Sequence, residues 1–319
     1  MKTGTILITG GAGFLGQHVF QEIKSNYPTS QIIVPRSKDV DLRDRESTLA
    51  YFSKIKPDIV IGIAARLGGI GDNRKFPANY FYDNITIGIN TVDGARLSNA
   101  SKLILIGTVC SYPKITPVPF KEEDLWNGYP EPTNGAYGIS KKAVAEYALA
   151  VNKQFGLNVV NLLLTNLYGP GDDFRDETSH VIPAIIKKMI AAKNNNIKEV
   201  SAWGDGSPTR DFLYVKDAAR AIVRSINCSY SNPINVGNGK DISIKALYGF
   251  IKDKVNFEGS VNWDTSYPNG QPKRLLDISK AREHFGFEPK TSFELGIDQT
   301  IEWYLKNEKE LATLTTKYK

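Results

Sequence analysis

The sequence has few cysteines and no long hydrophobic run. Cys110 and Cys228 are the only cysteines among 319 residues. This number is too low for the disulfide framework of a small secreted protein and is typical of a reducing compartment. No segment reaches the roughly 20 apolar residues of a membrane span, and the N-terminal apolar stretch is too short for a signal peptide. We therefore expect no transmembrane helix and a cytoplasmic protein.

Runs of one charge are also absent. The net charge of +6 comes from Lys and Arg residues that are spread along the chain. A protein that follows a nucleic-acid backbone concentrates its basic residues instead. We expect neither a nucleic-acid nor a membrane partner, and we predict no metal site. A modest basic excess suits an anionic small molecule, such as a nucleotide.

The first half of the chain alternates short apolar runs with helical patterns. The candidate strands are Thr5–Gly10, Gln31–Pro35, Asp58–Ala65, Lys102–Val109 and Asn158–Leu164, and the candidate helices are Gly16–Asn26, Arg45–Lys54, Asn84–Ala100 and Tyr137–Phe155. Near-continuous apolar strands suit a parallel sheet covered on both faces, so the alternation predicts a Rossmann-type, doubly wound α/β fold. After Gly169 the pattern changes to that of a smaller α/β lobe, with a helix at about Val181–Lys193. We expect the last ~10 residues to be poorly ordered.

A glycine-rich loop lies between the first strand and the first helix. In "TGGAGFLG", Gly10, Gly13 and Gly16 have the spacing G-x-x-G-x-x-G. Glycines there let a pyrophosphate approach the helix N-terminus, whose unpaired N–H groups bind anions. A tight structural turn alone would explain one glycine but not three, so the loop predicts a dinucleotide site. Arg36 follows the second strand, where NAD enzymes place an acidic residue, so NADP(H) is favoured over NAD(H).

Tyr137 and Lys141 lie one helical turn apart in "TNGAYGISK". A phenol has a pKa near ~10, so proton transfer at neutral pH needs a group that favours its anion, and Lys141 supplies a positive charge. Thr108 lies at the carboxyl end of the fourth strand, where doubly wound sheets bind ligands. These three residues predict a proton-transfer device beside a hydride carrier.

The motifs T-G-x-x-G-x-x-G and Y-x-x-x-K, with Thr108 upstream, resemble the extended short-chain dehydrogenase/reductase family. Within it, the chain is similar to the GDP-L-fucose synthase family through "ARLGGI", "GTVCSYPK", "EPTNGAY", "TNLYGPGDDF", "SHVIPA", "WGDGSPTRDFLYVKDAA" and "YPNGQPKRLLD", in this order over nearly the whole chain. The resemblance implies conversion of GDP-4-keto-6-deoxy-D-mannose to GDP-L-fucose, by 3,5-epimerisation and then 4-reduction with NADPH. It also implies a homodimer, formed through the helices around Asn84–Ala100 and Tyr137–Phe155.

The resemblance adds Cys110 and His180 to the catalytic set of Tyr137, Lys141 and Thr108. It assigns Cys110 as the base and His180 as the acid of the epimerisation. Thiol and imidazole have reference pKa values of ~8.5 and ~6.5, so both suit proton transfer near neutrality, and the residues alone leave the direction open. A cysteine next to a strand also suits a core position, and a histidine that opens a helix also suits a cap.

The resemblance also implies two sets of binding residues. The cofactor set is Gly10, Gly11, Gly13, Phe14, Leu15, Gly16, Arg36, Asp41, Leu42, Ala64, Ala65, Lys141, Leu164, Asn166, Leu167 and His180. The substrate set is Asn166, Val181, Lys188, Trp203, Arg210 and Lys273. For Trp203, a buried structural position is the alternative. We expect a dinucleotide-binding domain of residues 1–168 plus about 205–238, and a nucleotide-sugar-binding lobe of about 169–204 plus 239–319.

Two departures from the family pattern keep alternatives open. The glycine loop has no arginine, which the family often uses for the 2′-phosphate, and Arg66 stands where lysine is common. One alternative is a related GDP-sugar enzyme, for example a GDP-heptose epimerase, 4-reductase or 4-dehydrogenase that uses NAD(P). Another is a non-catalytic cofactor sensor, which would have lost Tyr137 or Lys141, and both are present.

Overall fold

A computed structural model describes residues 4–68, 70–176, 178–267 and 269–316. One six-stranded parallel sheet is formed by β1 (Thr5–Thr9), β2 (Gln31–Ile33), β3 (Ile59–Gly62), β4 (Lys102–Thr108), β5 (Val159–Leu164) and β9 (Ile234–Val236). The strand order is β2-β1-β3-β4-β5-β9, so the order reverses at β1. Open sheets of this kind bind ligands outside the carboxyl ends of the strands at such a switch point.

Helices cover both faces of this sheet. They are α1 (Phe14–Asn26), α2 (Arg45–Ile55), α3 (Ile70–Lys75), α4 (Pro77–Leu97), α5 (Gly135–Phe155), α7 (Val215–Arg224) and α9 (Ser279–Phe285). Successive side chains of a strand point to opposite faces. Ile6 and Ile8 of β1 therefore pack with α1, α7 and α9, whereas Leu7 packs with α2, α4 and α5. Both faces are buried, which explains the near-continuous apolar runs of the strands.

A second group of elements faces the carboxyl edge of the large sheet. The strands β6 (Asn166–Tyr168), β8 (Thr209–Tyr214), β10 (Asp241–Ser243) and β12 (Lys273–Arg274) form a four-stranded sheet, and β7 (Glu199–Trp203) pairs with β11 (Ser260–Asp264). The helices here are α6 (Val181–Asn194), α8 (Ile244–Lys254) and α10 (Phe293–Thr316). They share a separate apolar core that includes Ile186, Leu247 and Ile297.

The doubly wound α/β fold is confirmed, with differences at the ends of elements. The third strand ends at Gly62 rather than at Ala65, because the following residues leave the sheet and line a cleft. The expectation of a poorly ordered tail stays a prediction: α10 continues to Thr316, and residues 317–319 lie outside the described residues. The proposed domain boundaries remain a prediction. In the described part of the chain, no helix combines the length and the apolarity needed to cross a bilayer.

Candidate active site

A cleft of 2120 Å³ runs along the carboxyl ends of β1, β3, β4 and β5. The large sheet forms one wall through residues that follow these strands, including Gly10, Ala64 and Thr108. Residues of α6, β7 and β8 form the opposite wall, including Lys188 and Arg210. The cleft therefore lies at the switch point of the sheet, where a doubly wound fold binds its ligand.

The glycine loop forms one end of the cleft. Gly10 has φ +69°, a left-handed conformation that side chains with a Cβ rarely adopt, and a Cβ there would lie 2.7 Å from Ala64 N. A Cβ on Gly16 would lie 2.2 Å from Gly10 O, so glycine lets α1 approach the loop. Gly13 caps α1, and the first turn of the helix lines the cleft. The unpaired N–H groups at a helix N-terminus suit a phosphate.

Two arginines line this end of the cleft but differ in their contacts. Arg43 donates to both carboxylate oxygens of Asp41, at 3.0 and 2.8 Å, and its Nη1 lies 3.8 Å from Asp83. Arg36 is exposed and follows β2. Among the described residues, no side chain pairs with the Arg36 guanidinium. Arg36 is therefore available for an anionic group at the ribose end of a dinucleotide.

Close packing of α5 against the end of β4 brings Tyr137 to Thr108. The chain leaves β4 at Thr108 and makes a 3₁₀ turn over Val109–Ser111. A Cβ on Gly138 would lie 2.3 Å from Cys110 O, so only glycine permits this contact between helix and turn. Ser111 Oγ donates to Gly138 O at 3.0 Å. The Tyr137 side chain thereby comes close enough to Thr108 for the two to interact.

Burial controls the ionisation of the Tyr137 and Lys141 side chains. It raises the pKa of Tyr137 above its usual range, and the Thr108 hydrogen bond opposes this only in part. Burial also lowers the pKa of Lys141 to about 8. Desolvation disfavours the charged forms of both side chains, and the expected acidifying effect of Lys141 on this phenol stays a prediction. A phenol that stays protonated at neutral pH is suited to donate its proton.

Cys110 faces the cleft beside a guanidinium. Its side chain is partly exposed rather than packed in the core. Arg274 Nη1 lies 3.7 Å from Cys110 Sγ in a hydrogen-bonding orientation. Arg210 is close enough for its charge to interact with both Cys110 and Arg274. The cysteine at the end of β4 therefore lies in a positively charged part of the cleft.

His180 precedes α6 and faces a buried carboxylate. It occupies the N-cap position, but its side chain forms no capping hydrogen bond, so the capping alternative is not observed. Its Nδ1 lies 3.8 Å from Asp172 Oδ1, and the Asp172 side chain is only 2% exposed. Interaction with Asp172 raises the pKa of His180. This arrangement favours the imidazolium form.

The far end of the cleft carries an aromatic platform and cationic side chains. Trp203 is 66% exposed rather than buried, and its ring stacks on that of Tyr267 at 4.6 Å with an interplanar angle of 3°. Lys188 Nζ donates to Ser201 O at 2.7 Å. Burial, followed by the charge of Arg274, lowers the pKa of Arg210 to about 10. An exposed ring pair and a half-buried guanidinium suit a nucleotide with its diphosphate.

The structure brings most of the site predicted from the sequence to this one cleft. Gly11 and Lys273 are the two predicted residues that do not line it. Lys273 Nζ lies 3.3 Å from Asp241 instead. Arg274 was not predicted, although adjacent residues of a strand face opposite sides and the Lys–Arg pair is visible in the sequence. Asp172 and Tyr267 were not predicted either, because their contacts with His180 and Trp203 follow only from the fold.

Comparison with known proteins gives a family match. The NAD dependent epimerase/dehydratase family matches residues 6–237. The "Probable GDP-L-fucose synthase 1" of Oryza sativa subsp. japonica is 37% identical over 309 residues, which cover 96% of this chain and 93% of that protein. The GDP-L-fucose synthase of Escherichia coli (strain K12) is 32% identical, over 97% of this chain and 98% of that protein.

Solved structures are similar over the same length. A GDP-L-fucose synthetase from Naegleria fowleri bound to NADP has a TM-score of 0.88 at 31% identity, over 97% of this chain and 95% of that one. A GDP-6-OMe-4-keto-L-xylo-heptose reductase from C. jejuni has a TM-score of 0.89 at 26% identity, over 96% of this chain and 99% of that one.

Proposed function

The chain belongs to the NAD dependent epimerase/dehydratase family, and from this premise we propose that it is an NADP(H)-dependent epimerase and reductase of a GDP-4-keto sugar. The substrate is GDP-4-keto-6-deoxy-D-mannose and the product is GDP-L-fucose. The relatives named as GDP-L-fucose synthases support the choice of sugar. The observation that carries the reaction is the presence of Tyr137, Cys110 and His180 on the wall of one cleft.

The glycine-loop end of the cleft fits NADP(H). The Gly10 and Gly16 positions leave no room for a Cβ, so the backbone itself forms the surface that meets the pyrophosphate. Arg36 lines the cleft with its guanidinium available for the ribose 2′-phosphate. When bound, NADPH supplies the hydride for reduction. The NADP-bound Naegleria fowleri relative agrees with this cofactor choice.

The charges around Cys110 and His180 support the roles of base and acid. A hydrogen next to a ketone is only weakly acidic, so a base must remove it and an acid must return a proton to the other face. Arg274 Nη1 lies beside the Cys110 sulfur, and interaction with Asp172 raises the pKa of His180, which favours imidazolium. Cys110 takes up the carbon-bound proton and His180 gives its proton to the opposite face. Exchange with water restores both groups.

Reduction at carbon 4 then requires a proton for the oxygen. Tyr137 supplies this proton, and its raised pKa keeps the phenol protonated at neutral pH. Thr108 lies next to Tyr137 and lines the cleft, so its hydroxyl can accept or donate a hydrogen bond at the substrate oxygen on carbon 4. Lys141 lines the cleft close by, and its pKa of about 8 leaves most of it charged at neutral pH.

The second wall would hold the nucleotide sugar. Arg210 is half-buried on the wall of the cleft, and its guanidinium is suited to bind the diphosphate by charge-assisted hydrogen bonds. Trp203 offers a flat exposed face, backed by Tyr267, on which a base or sugar ring can stack. Lys188 and Asn166 also line the cleft. Lys273, which pairs with Asp241, is a less favourable candidate for direct contact.

Two variants test whether Cys110 acts in epimerisation and Tyr137 in reduction. Tyr137→Phe removes the proton donor, so NADPH oxidation with the keto sugar should fall to background while deuterium exchange at carbons 3 and 5 continues. Cys110→Ser should stop this exchange. Tyr82→Phe, at an exposed tyrosine of α4, and Cys228→Ser are the matched controls. NADPH oxidation that persists in Tyr137→Phe would remove Tyr137 from the reaction.

A GDP-heptose is the second candidate substrate. The similarity to the C. jejuni heptose reductase favours it, and the volume of the cleft admits a larger sugar. A panel of GDP-4-keto sugars, analysed by mass spectrometry of the products, separates the two. A higher kcat/KM for the 6-deoxyhexose supports the first candidate, and the reverse order supports the heptose.

We further propose that the protein is a cytoplasmic homodimer with α4 and α5 at the interface. Ile85 and Ile89, one turn apart on α4, are only partly buried, as is Leu149 of α5. Apolar side chains that remain partly accessible on adjacent helices suit a subunit interface. The division into a dinucleotide-binding domain of residues 1–168 plus about 205–238, with the remainder binding the nucleotide sugar, belongs to the same proposal.

A further inference from the structure

The guanidinium of Arg274 is held in one place by a chain of contacts. Its Nε donates to Gln271 Oε1 at 2.6 Å, and Gln271 Nε2 donates to Lys114 O at 2.8 Å. Gln271 is 6% exposed, so its amide has little access to water. The backbone of Arg274 is paired with Arg210 in the parallel ladder between β12 and β8. A guanidinium fixed in this way can direct Nη1 at a neighbouring group without losing further side-chain freedom.

The group to which Nη1 points is the sulfur of Cys110. The distance of 3.7 Å and the orientation correspond to a hydrogen bond to sulfur. Other charged or titratable groups near Cys110 come from separate elements: Arg210 of β8, Tyr137 of α5, and Glu131, whose charge acts on Arg210. Glu131 also lies 3.8 Å from Lys114. Arg274 thus contacts the sulfur, the charge of Arg210 acts on it from nearby, and the Glu131 carboxylate is paired with Lys114.

The two guanidiniums disfavour each other. The charge of Arg274 adds to burial in lowering the pKa of Arg210, whereas Cys110 acts in the opposite direction. An anion at the sulfur would relieve this repulsion. Of the two arginines, Arg274 is the one with a direct contact to the sulfur.

We propose that Arg274 is a positioning residue that holds Cys110 as a thiolate, directed at the hydrogen beside the substrate ketone. The proposal rests on the proposed role of Cys110 as the base. The thiol first loses its proton to water, and the thiolate then takes the proton from carbon, leaving an enolate whose remaining proton steps belong to His180. Arg274 donates a hydrogen bond throughout and transfers no proton.

The competing role for Arg274 is a direct contact with the substrate diphosphate. The two roles differ in the protein without substrate, because only the first requires a thiolate before the sugar binds. The rate of Cys110 alkylation by iodoacetamide, followed by mass spectrometry of the peptide, reports the thiolate directly. Cys228 is only 4% exposed and serves as an internal reference.

In Arg274→Gln we expect alkylation of Cys110 at neutral pH to slow by about tenfold, because a thiol near its ordinary acidity is mostly protonated there. Arg274→Lys keeps the positive charge and should recover most of the rate. Arg282→Gln is the matched control, since Arg282 is exposed and pairs with Glu288 at 2.7 Å. If Arg274→Gln does not fold, Arg274→Met provides the same neutral test while keeping the aliphatic stem.

An unchanged alkylation rate in the neutral variant overturns the proposal. If KM for the keto sugar rises at the same time, Arg274 binds the diphosphate instead. These outcomes are independent of the proposed function, because alkylation is measured without substrate. Deuterium exchange that persists in Cys110→Ser would instead contradict the role of Cys110 and leave the contact with Arg274 standing.

Discussion

Asp172 is a buried carboxylate whose charge acts on His180. As a general acid, His180 must be protonated, so exchange slows as the pH rises through its pKa. Asp172 raises that pKa and thereby extends activity toward alkaline pH. In Asp172→Asn the alkaline limb of the exchange profile should therefore move to lower pH. At a fixed alkaline pH, exchange should fall by about tenfold if the limb moves by about one pH unit.

The control for this variant is Asp298→Asn, at an exposed carboxylate that pairs with Lys254 on the far side of the lobe. The measurement is deuterium exchange at carbon 3 across the pH range. An alkaline limb at the same pH in Asp172→Asn and in the unmodified protein would show that Asp172 does not act on the acid. The acid limb depends on the base and should not move.

Arg36 is the residue on which the preference for NADPH depends. Its guanidinium has no partner among the described side chains, whereas Arg43 is already paired with Asp41. A hydrogen bond to a charged group contributes about 1.5–3 kcal/mol. In Arg36→Ser, KM for NADPH should therefore rise by about tenfold or more, and KM for NADH should hardly change. Lys38→Ser, at a neighbouring cation outside the cleft, should leave both unchanged, and an equal loss for both cofactors in Arg36→Ser would count against a 2′-phosphate contact.

Several residues of the site could be predicted from the sequence because local spacing identifies them. Tyr137 and Lys141 are one turn apart, and the three glycines flank the start of a helix. Arg274 could not be identified from spacing, because only the register of β12 against β8 shows which of two adjacent cations faces Cys110. The direction of the Tyr137 pKa shift could not be predicted from the sequence either, because it depends on burial.

At the scale of elements, the contact between α5 and the turn after β4 positions the catalytic groups. The missing Cβ of Gly138 permits this contact, so Gly138→Ala forces the helix away from Cys110 O. We expect the free energy of unfolding to fall by about 1–3 kcal/mol, and NADPH oxidation to fall with it. Urea unfolding and an activity assay measure the two effects.

Gly249→Ala is the matched control for this change. Gly249 lies in α8, and a Cβ there would meet nothing within 4 Å. Alanine is the better helix former, so this variant should gain about 0.5–1 kcal/mol in stability. If the two variants behave alike, close packing at Gly138 does not hold the site together.

Elements with strong apolar patterns were predictable, and short ones were not. All five predicted strands of the large sheet occur, and β3 and β5 are fully buried, whereas the edge strand β2 is only partly buried. The strands β10 and β12 have only three and two residues, too few for a period of two to be visible. The helix α10 has a polar C-terminal half that resembles a tail in sequence, although the helix continues through it.

At the scale of the whole molecule, the proposed dimer depends on the outer face of α4 and α5. Ile89→Glu places a charge on this face without entering the core, since Ile89 is only partly buried. We expect the variant to sediment as a monomer at concentrations where the unmodified protein is a dimer. Leu305→Glu, at an apolar residue of α10 that is 53% exposed, should remain a dimer. A dimer in both variants would place the interface elsewhere.

The cleft that contains Cys110, His180 and Tyr137 lies where the second group of elements faces the carboxyl edge of the large sheet. The most direct test is a single reaction of GDP-4-keto-6-deoxy-D-mannose with NADPH in deuterated water, with the product analysed by NMR spectroscopy. We expect stoichiometric oxidation of NADPH and GDP-L-fucose that carries deuterium at carbons 3 and 5. Reduction at carbon 4 without inversion or deuterium at carbons 3 and 5, or no oxidation of NADPH, would contradict the proposed chemistry of Cys110, His180 and Tyr137.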